Sequence, residues 1–124
     1  MNMILFFSHE LTSEQKEDAI VNLKVNNFIK LPFTLQEKWS NVPAELEDLE
    51  EYSLPFKDFL RRYNKGDYVL IQGDFGLTCK MVNFAKSLGL IPIYATTKRE
   101  SVEEKKGDEV IKISKFRHIM FRKY

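Results

Sequence analysis

The sequence predicts an α/β fold: a Rossmann-like three-layer sandwich with a mostly parallel sheet and a C-terminal antiparallel β extension. Three observations carry this expectation. Short apolar runs at 4–7, 68–71 and 91–95 read as buried strands, the segments between them carry helical spacing, and that spacing stops after Ser101. Strands that alternate with helices pair in parallel through right-handed crossovers, whereas a tail without helices can only add strands antiparallel.

The elements follow in order. Residues 3–8 read as a buried strand, and Thr12 with Gln15 three positions later is a capping-box signature for a helix over 13–24, with Ala19, Ile20 and Leu23 on one face. Asn26-Asn27 breaks that helix before a short strand at 28–31. From Pro32 to Lys65 the pattern is helical but interrupted. Pro43 suits a first helical turn, and Pro55 is expected to separate an acidic segment from a helix bearing Phe56, Phe59, Leu60 and Tyr63, which stops at Gly66. A third strand spans 67–72. The helix after it carries Met81, Phe84, Ala85 and Leu88 at helical spacing and ends at Gly89. The fourth strand is expected over 90–95, with Pro92 near its beginning or on an unpaired side. Gly107-Asp108 is a turn between 102–105 and 109–113, and 116–121 form a further antiparallel strand.

Composition limits the function classes. A chain of 124 residues and 14.6 kDa is expected to be a single domain, 1–124, able to bury a core without staples. With 44% hydrophobic and 30% charged residues, disorder is not expected. The lone Cys79 permits no internal disulfide, no signal-peptide pattern opens the chain, and no apolar stretch approaches the ~20 residues of a membrane span, so a cytoplasmic location without membrane contact is expected. A net charge of +1 gives no general pull toward long nucleic acid. The charge is nonetheless uneven: Glu45, Glu47, Asp48, Glu50 and Glu51 crowd one segment, and Lys112, Lys115, Arg117, Arg122 and Lys123 crowd the C-terminus. Such runs are usually solvated faces, and a local basic wall for a small anion is the functional alternative.

Each strand runs into polar residues that would gather at one end of a parallel sheet, where α/β folds bind ligands. Ser8-His9 offers a hydroxyl and a group that titrates near neutrality. Gln72, Gly73, Asp74, Phe75 and Gly76 lead into a helix whose first-turn amides, together with Thr78, can hold an anion; equally, Asp74 can simply cap that helix. Thr96, Thr97, Lys98 and Arg99 are the strongest local signal, two hydroxyls and two cations read as a loop around a phosphate. Arg117 and His118 on the C-terminal strand join the candidate contacts, although a histidine there is as readily a packing residue. No zinc, magnesium or calcium spacing occurs, so neither a metal nor another cofactor is expected.

The segments Phe6-Phe7-Ser8-His9-Glu10-Leu11-Thr12, Trp39-Ser40-Asn41-Val42-Pro43, Gln72-Gly73-Asp74-Phe75-Gly76-Leu77-Thr78, Tyr94-Ala95-Thr96-Thr97-Lys98-Arg99-Glu100 and Phe116-Arg117-His118 resemble a small CRISPR-associated family found beside type III interference systems. That family resembles stand-alone versions of the CRISPR-associated Rossmann fold, which binds cyclic oligoadenylate messengers across a two-fold dimer interface. The resemblance implies a homodimeric ring nuclease that cleaves cyclic oligoadenylate, most often cyclic tetra-adenylate, and so switches off antiviral signalling. It also implies that Ser8 and Lys98 or Arg99 serve the reaction; in-line attack by the ribose 2′-hydroxyl leaves His9 as a ligand contact or, second to that, a proton shuttle. A non-hydrolysing sponge or sensor and a small interaction protein are the competing functions.

Overall fold

Parallel strands need long crossovers, and the helical segments of this chain supply them. The computed structural model describes residues 1–124, with strands β1 (Asn2–Phe6), β2 (Asn27–Lys30), β3 (Tyr68–Ile71), β4 (Ile91–Lys106) and β5 (Glu109–Lys123), and helices α1 (Ser13–Leu23), α2 (Phe33–Ser40), α3 (Glu50–Leu60) and α4 (Phe75–Ser87). One sheet forms in the order β2-β1-β3-β4-β5. Pairs β1/β2, β1/β3 and β3/β4 are parallel, and β4/β5 is antiparallel. The α/β class, the mostly parallel sheet and the antiparallel C-terminal extension are therefore as expected from the sequence.

Side-chain alternation along the strands divides the core in two. Ile4, Phe6, Val69 and Ile71 pack with Trp39 of α2, Phe56, Phe59 and Leu60 of α3, and Leu77, Met81 and Ala85 of α4. Met3, Leu5, Leu70 and Ile93 pack with Ala19 of α1, Leu11, Val25 and Phe121. Fully burying each large apolar side chain contributes about 1.5–3 kcal/mol, which holds the short central strands in register.

Local signals explain most boundaries. The capping box opens α1, with the Gln15 amide donating to Thr12 Oγ1 at 3.2 Å and the Thr12 amide donating to Gln15 Oε1 at 2.9 Å. Pro92 is the second residue of β4, and its carbonyl accepts the Tyr124 amide at 3.1 Å. The turn at Gly107 adopts φ 63°, a conformation open to glycine at little cost.

Several expectations are corrected. The first strand ends at Phe6 rather than at residue 8. Pro43 lies between α2 and α3, outside any helix, and Pro55 lies within α3 instead of dividing it. Burial of Phe56, Phe59 and Leu60 on the same helix offsets the missing Pro55 N–H. The largest change is at the C-terminus: β4 does not end at Ala95, so Thr96–Arg99 are strand residues rather than a loop. Residues Ile93–Lys106 pair with Glu109–Lys123 in one long hairpin, and the separate strand pieces expected there are continuous. Because β3 reaches only Ile93, the distal hairpin is a two-stranded arm with no third strand beside it.

Candidate functional site

The chain leaves β1 toward β2 on one side and returns to β3 on the other, which makes a topological switch point at the carboxyl end of β1. Phe7 and Ser8 emerge there. Gln36 of α2 donates to the Phe7 carbonyl at 3.0 Å and to Ser40 Oγ at 3.3 Å, and Ser40 Oγ donates to Ser8 Oγ at 3.0 Å. The Ser8 hydroxyl is thus held by a helix that leads away from the neighbouring strand.

Ser8 and His9 line a pocket of about 460 Å³ with Phe7, Phe28, Leu31, Phe33, Lys16, Lys30 and Gln36. His9 meets Phe7 edge-on with ring centres 5.5 Å apart, and Phe33 is 78% exposed over the opening. Lys30 bonds Glu10 at 2.8 Å, and this contact holds the Glu10 carboxyl below the ordinary carboxylate range. Aromatic surface, two ammonium groups, a hydroxyl and an imidazole around one hollow suit a single nucleotide unit. Lys16, Phe28, Lys30, Phe33 and Gln36 are absent from the site read in the sequence. The strand-end rule applied to β2 would have found Lys30, which closes that strand; Lys16 and Gln36 are brought in only by packing of their helices.

The second cluster forms a corner. Gln72 donates its amide to the Phe6 carbonyl at 3.0 Å, accepts Trp39 Nε1 on its own carbonyl at 3.0 Å, and accepts the Ala95 amide on Oε1 at 2.8 Å. Gln72 therefore joins β1, β3, β4 and α2. Gly73 lies so close to Trp39 that a Cβ would come within 2.9 Å of its indole nitrogen. Asp74 caps α4, accepting the Leu77 amide at 3.0 Å, so the capping alternative holds. Phe75 is 95% exposed, whereas the Thr78 hydroxyl oxygen is buried without a partner. Gly76 borders a different hollow, shared with Leu49, Glu47, Asp48 and Lys80. Its carboxylates oppose an anion approaching α4 from that side, and Lys80 is bonded to Glu50 at 2.5 Å.

The third cluster is split by the strand. Successive side chains of β4 project to opposite faces, so Thr97 and Arg99 share one face and Thr96 and Lys98 the other. Thr96 Oγ1 donates to the Met120 carbonyl at 3.1 Å and accepts its amide at 3.2 Å, closing the irregularity in the ladder. Arg99 donates to Ser114 Oγ at 3.0 and 3.2 Å. Lys98 stands opposite Arg117, which lies 3.9 Å from Glu100. His118 Nε2 is 2.6 Å from Asp18 Oδ2 of α1, with the imidazole packed at a tilt against Phe121, ring centres 4.8 Å apart, so its ring anchors the base of the arm. Among the expected site residues, Ser8 and His9 share a pocket, Gln72 links them to the base of β4, and Lys98, Arg99 and Arg117 stand on the arm.

No group of three or more His, Cys, Asp or Glu side chains is placed so that it could hold a metal ion, and no helix is long and apolar enough to cross a membrane. Comparison with known proteins finds a match to the family model described as "Uncharacterized protein MJ1673 family" over residues 1–122. A protein of Methanocaldococcus jannaschii, named "Uncharacterized protein MJ1673", is 55% identical over 123 residues, covering 98% of this chain and 95% of its own. No solved structure matches.

Proposed function

Starting from the premise that this chain belongs to the MJ1673 family along nearly its whole length, we propose that it is a homodimeric ring nuclease that binds and cleaves cyclic oligoadenylate, with cyclic tetra-adenylate favoured. The observation that carries the reading is the pocket of about 460 Å³ at the switch point, lined by Ser8, His9, Lys16, the Lys30–Glu10 pair and the rings of Phe7, Phe28 and Phe33. Helices against both faces of the sheet favour the Rossmann-like three-layer description. The motifs from Phe6 to His118 supply the resemblance to type III CRISPR proteins, and with it a cytoplasmic setting.

In this reading the nucleophile belongs to the substrate. A ribose 2′-hydroxyl attacks the adjacent phosphorus, the bond to the 5′-oxygen breaks, and a 2′,3′-cyclic phosphate and a 5′-hydroxyl result. The protein turns the sugar into line and stabilises charge on the phosphoryl oxygens, which needs fixed donors rather than a metal. Adenine lies on Phe28 and Phe33, Ser8 Oγ donates to a phosphate oxygen, and Lys16 balances its charge, Lys30 being paired with Glu10. His9 accepts the 2′-hydroxyl proton or returns one to the leaving oxygen. Lys98 or Arg99 meets the next phosphate from the arm.

The test is incubation with radiolabelled cyclic oligoadenylates of several ring sizes, with products resolved over time. Multiple turnovers to linear adenylates, lost in Ser8→Ala, are expected. Binding that protects the ring stoichiometrically would make the protein a sponge, and absence of binding to every ring would overturn the reading.

A further inference from the structure

A two-stranded ribbon is marginal in water unless something covers it, yet this arm extends well beyond the last residue of β3. Val102, Val110, Ile111 and Phe116 are all exposed along it, Phe116 at 72%. Both long edges are open, and they differ in charge. The β5 edge carries Lys112, Lys115 and Arg117 with no acid among them, so a second β5 laid antiparallel against it would meet repulsion. The β4 edge reads Lys98-Arg99-Glu100-Ser101-Val102-Glu103-Glu104-Lys105-Lys106, a basic pair at each end with the acidic pair Glu103-Glu104 just before the second.

The direction of the free backbone groups is set by contacts at the base. The Ile91 amide donates to Asp67 and the Ala95 amide to Gln72 Oε1, both on the β3 side. The ladder irregularity places its extra residue, Ile119, in β5, so alternation along β4 is unbroken. Hence the amides and carbonyls of Thr97, Arg99, Ser101, Glu103 and Lys105 point to the open edge, while those of the residues between them bond β5.

We propose that two copies of this chain pair antiparallel through the β4 edges of their arms, about a two-fold axis at Ser101. In that register Ser101 faces Ser101 of the second copy, Arg99 faces Glu103 of the second copy, and Thr97 faces Lys105 of the second copy, all through residues whose backbone groups are free. On the other face Lys98 meets Glu104 of the second copy. Both charged pairs are of opposite sign, and the two-fold axis repeats each of them. Lys98 also gains an acidic neighbour to offset Arg117, which stands opposite it within the same chain. A four-stranded ribbon results, with no unpaired strand between the two bodies.

The register has a consequence for the site. Beyond the pair at Thr97, the tip of the second copy continues past Thr96 toward Ala95, where the Gln72 side chain closes the carboxyl end of β3. Lys105 and Lys106 of the second copy are thereby brought beside Gln72 at the carboxyl end of β3. This deepens the ring-nuclease reading, on which it rests for the dimer's purpose, by assigning the dimer an interface and the carboxyl end of β3 two cations from the other subunit.

The experiment is ligand-free sedimentation of the full chain, so that its outcome is independent of whether any ring is cleaved. Wild type is expected at twice 14.6 kDa. Ser101→Pro removes only an amide that points away from β5, so it leaves the intrachain ladder whole, yet it deletes two symmetric hydrogen bonds and should weaken the dimer about ten-fold or more. A second variant covers misfolding of the first. Ser101→Cys in a Cys79→Ser background should form an interchain disulfide on oxidation, because directly opposed hydrogen-bonded residues lie about 5.5 Å apart. A monomeric wild type, or a dimer unaffected by a folded Ser101→Pro and uncrosslinked in Ser101→Cys, would overturn the proposal.

Discussion

Lys98 and Arg99 are adjacent in sequence and separated in space, because consecutive residues of a strand project to opposite faces. They cannot both grip one phosphate. If one of them stabilises the transition state, alanine substitution there should lower the single-turnover rate by about 10²-fold or more, and the same change at its neighbour should have a much smaller effect. Equal and large losses in both would contradict the split, and unchanged rates in both would move the site off the arm. Gly73 shows a different residue-scale constraint. Its hydrogen is what allows the chain to pass the Trp39 indole, whose nitrogen in turn holds the Gln72 carbonyl.

At the scale of elements, the last residue, Tyr124, ties the C-terminus across β4 to the end of β3. The Tyr124 hydroxyl donates to the Ile71 carbonyl at the end of β3, and its ring packs 4.8 Å from Tyr94 on β4. Burial raises the Tyr124 phenol above its ordinary value near 10.0. The folded state therefore holds this proton more tightly than the unfolded chain does. Its contribution to stability is fully present below the unfolded value and is lost as pH rises through the folded one. Denaturant midpoints measured across alkaline pH should fall more steeply in wild type than in Tyr124→Phe; parallel curves would show that the latch does not titrate with unfolding. Burial raises Tyr52 in the same direction, and that hydroxyl donates to the Lys38 carbonyl at 2.6 Å, tying α3 to α2.

For the whole molecule, the proposed reaction draws its nucleophile from the ligand and its charge stabilisation from Ser8, Lys16 and the arm. Cleavage of cyclic oligoadenylate should therefore survive EDTA at an undiminished rate. Loss of activity on chelation, restored specifically by one divalent ion, would exclude the metal-independent route.

Outside the interrupted stretch from Pro32 to Lys65, the strands and helices up to Ala95 were legible because each carries its own signal: the Thr12/Gln15 capping box, the apolar runs of the sheet, and Met81, Phe84, Ala85 and Leu88 on α4. The polar strand ends were legible for the same reason, since a buried run that stops at Ser8 or Gln72 marks where the sheet meets water. The sequence by itself thus determined the α/β class, the mostly parallel sheet and the end of it to search. Tertiary structure decided the rest. Thr96–Lys106 has no apolar alternation of its own and becomes strand only because β5 pairs with it. Pro55 stays inside α3 because buried neighbours outweigh one lost hydrogen bond. Lys16, Lys30 and Phe33 enter the pocket from three separate elements or their connections, and His118 finds Asp18 a hundred residues away. Contacts of that range depend on which faces the sheet brings together, and no local pattern encodes them.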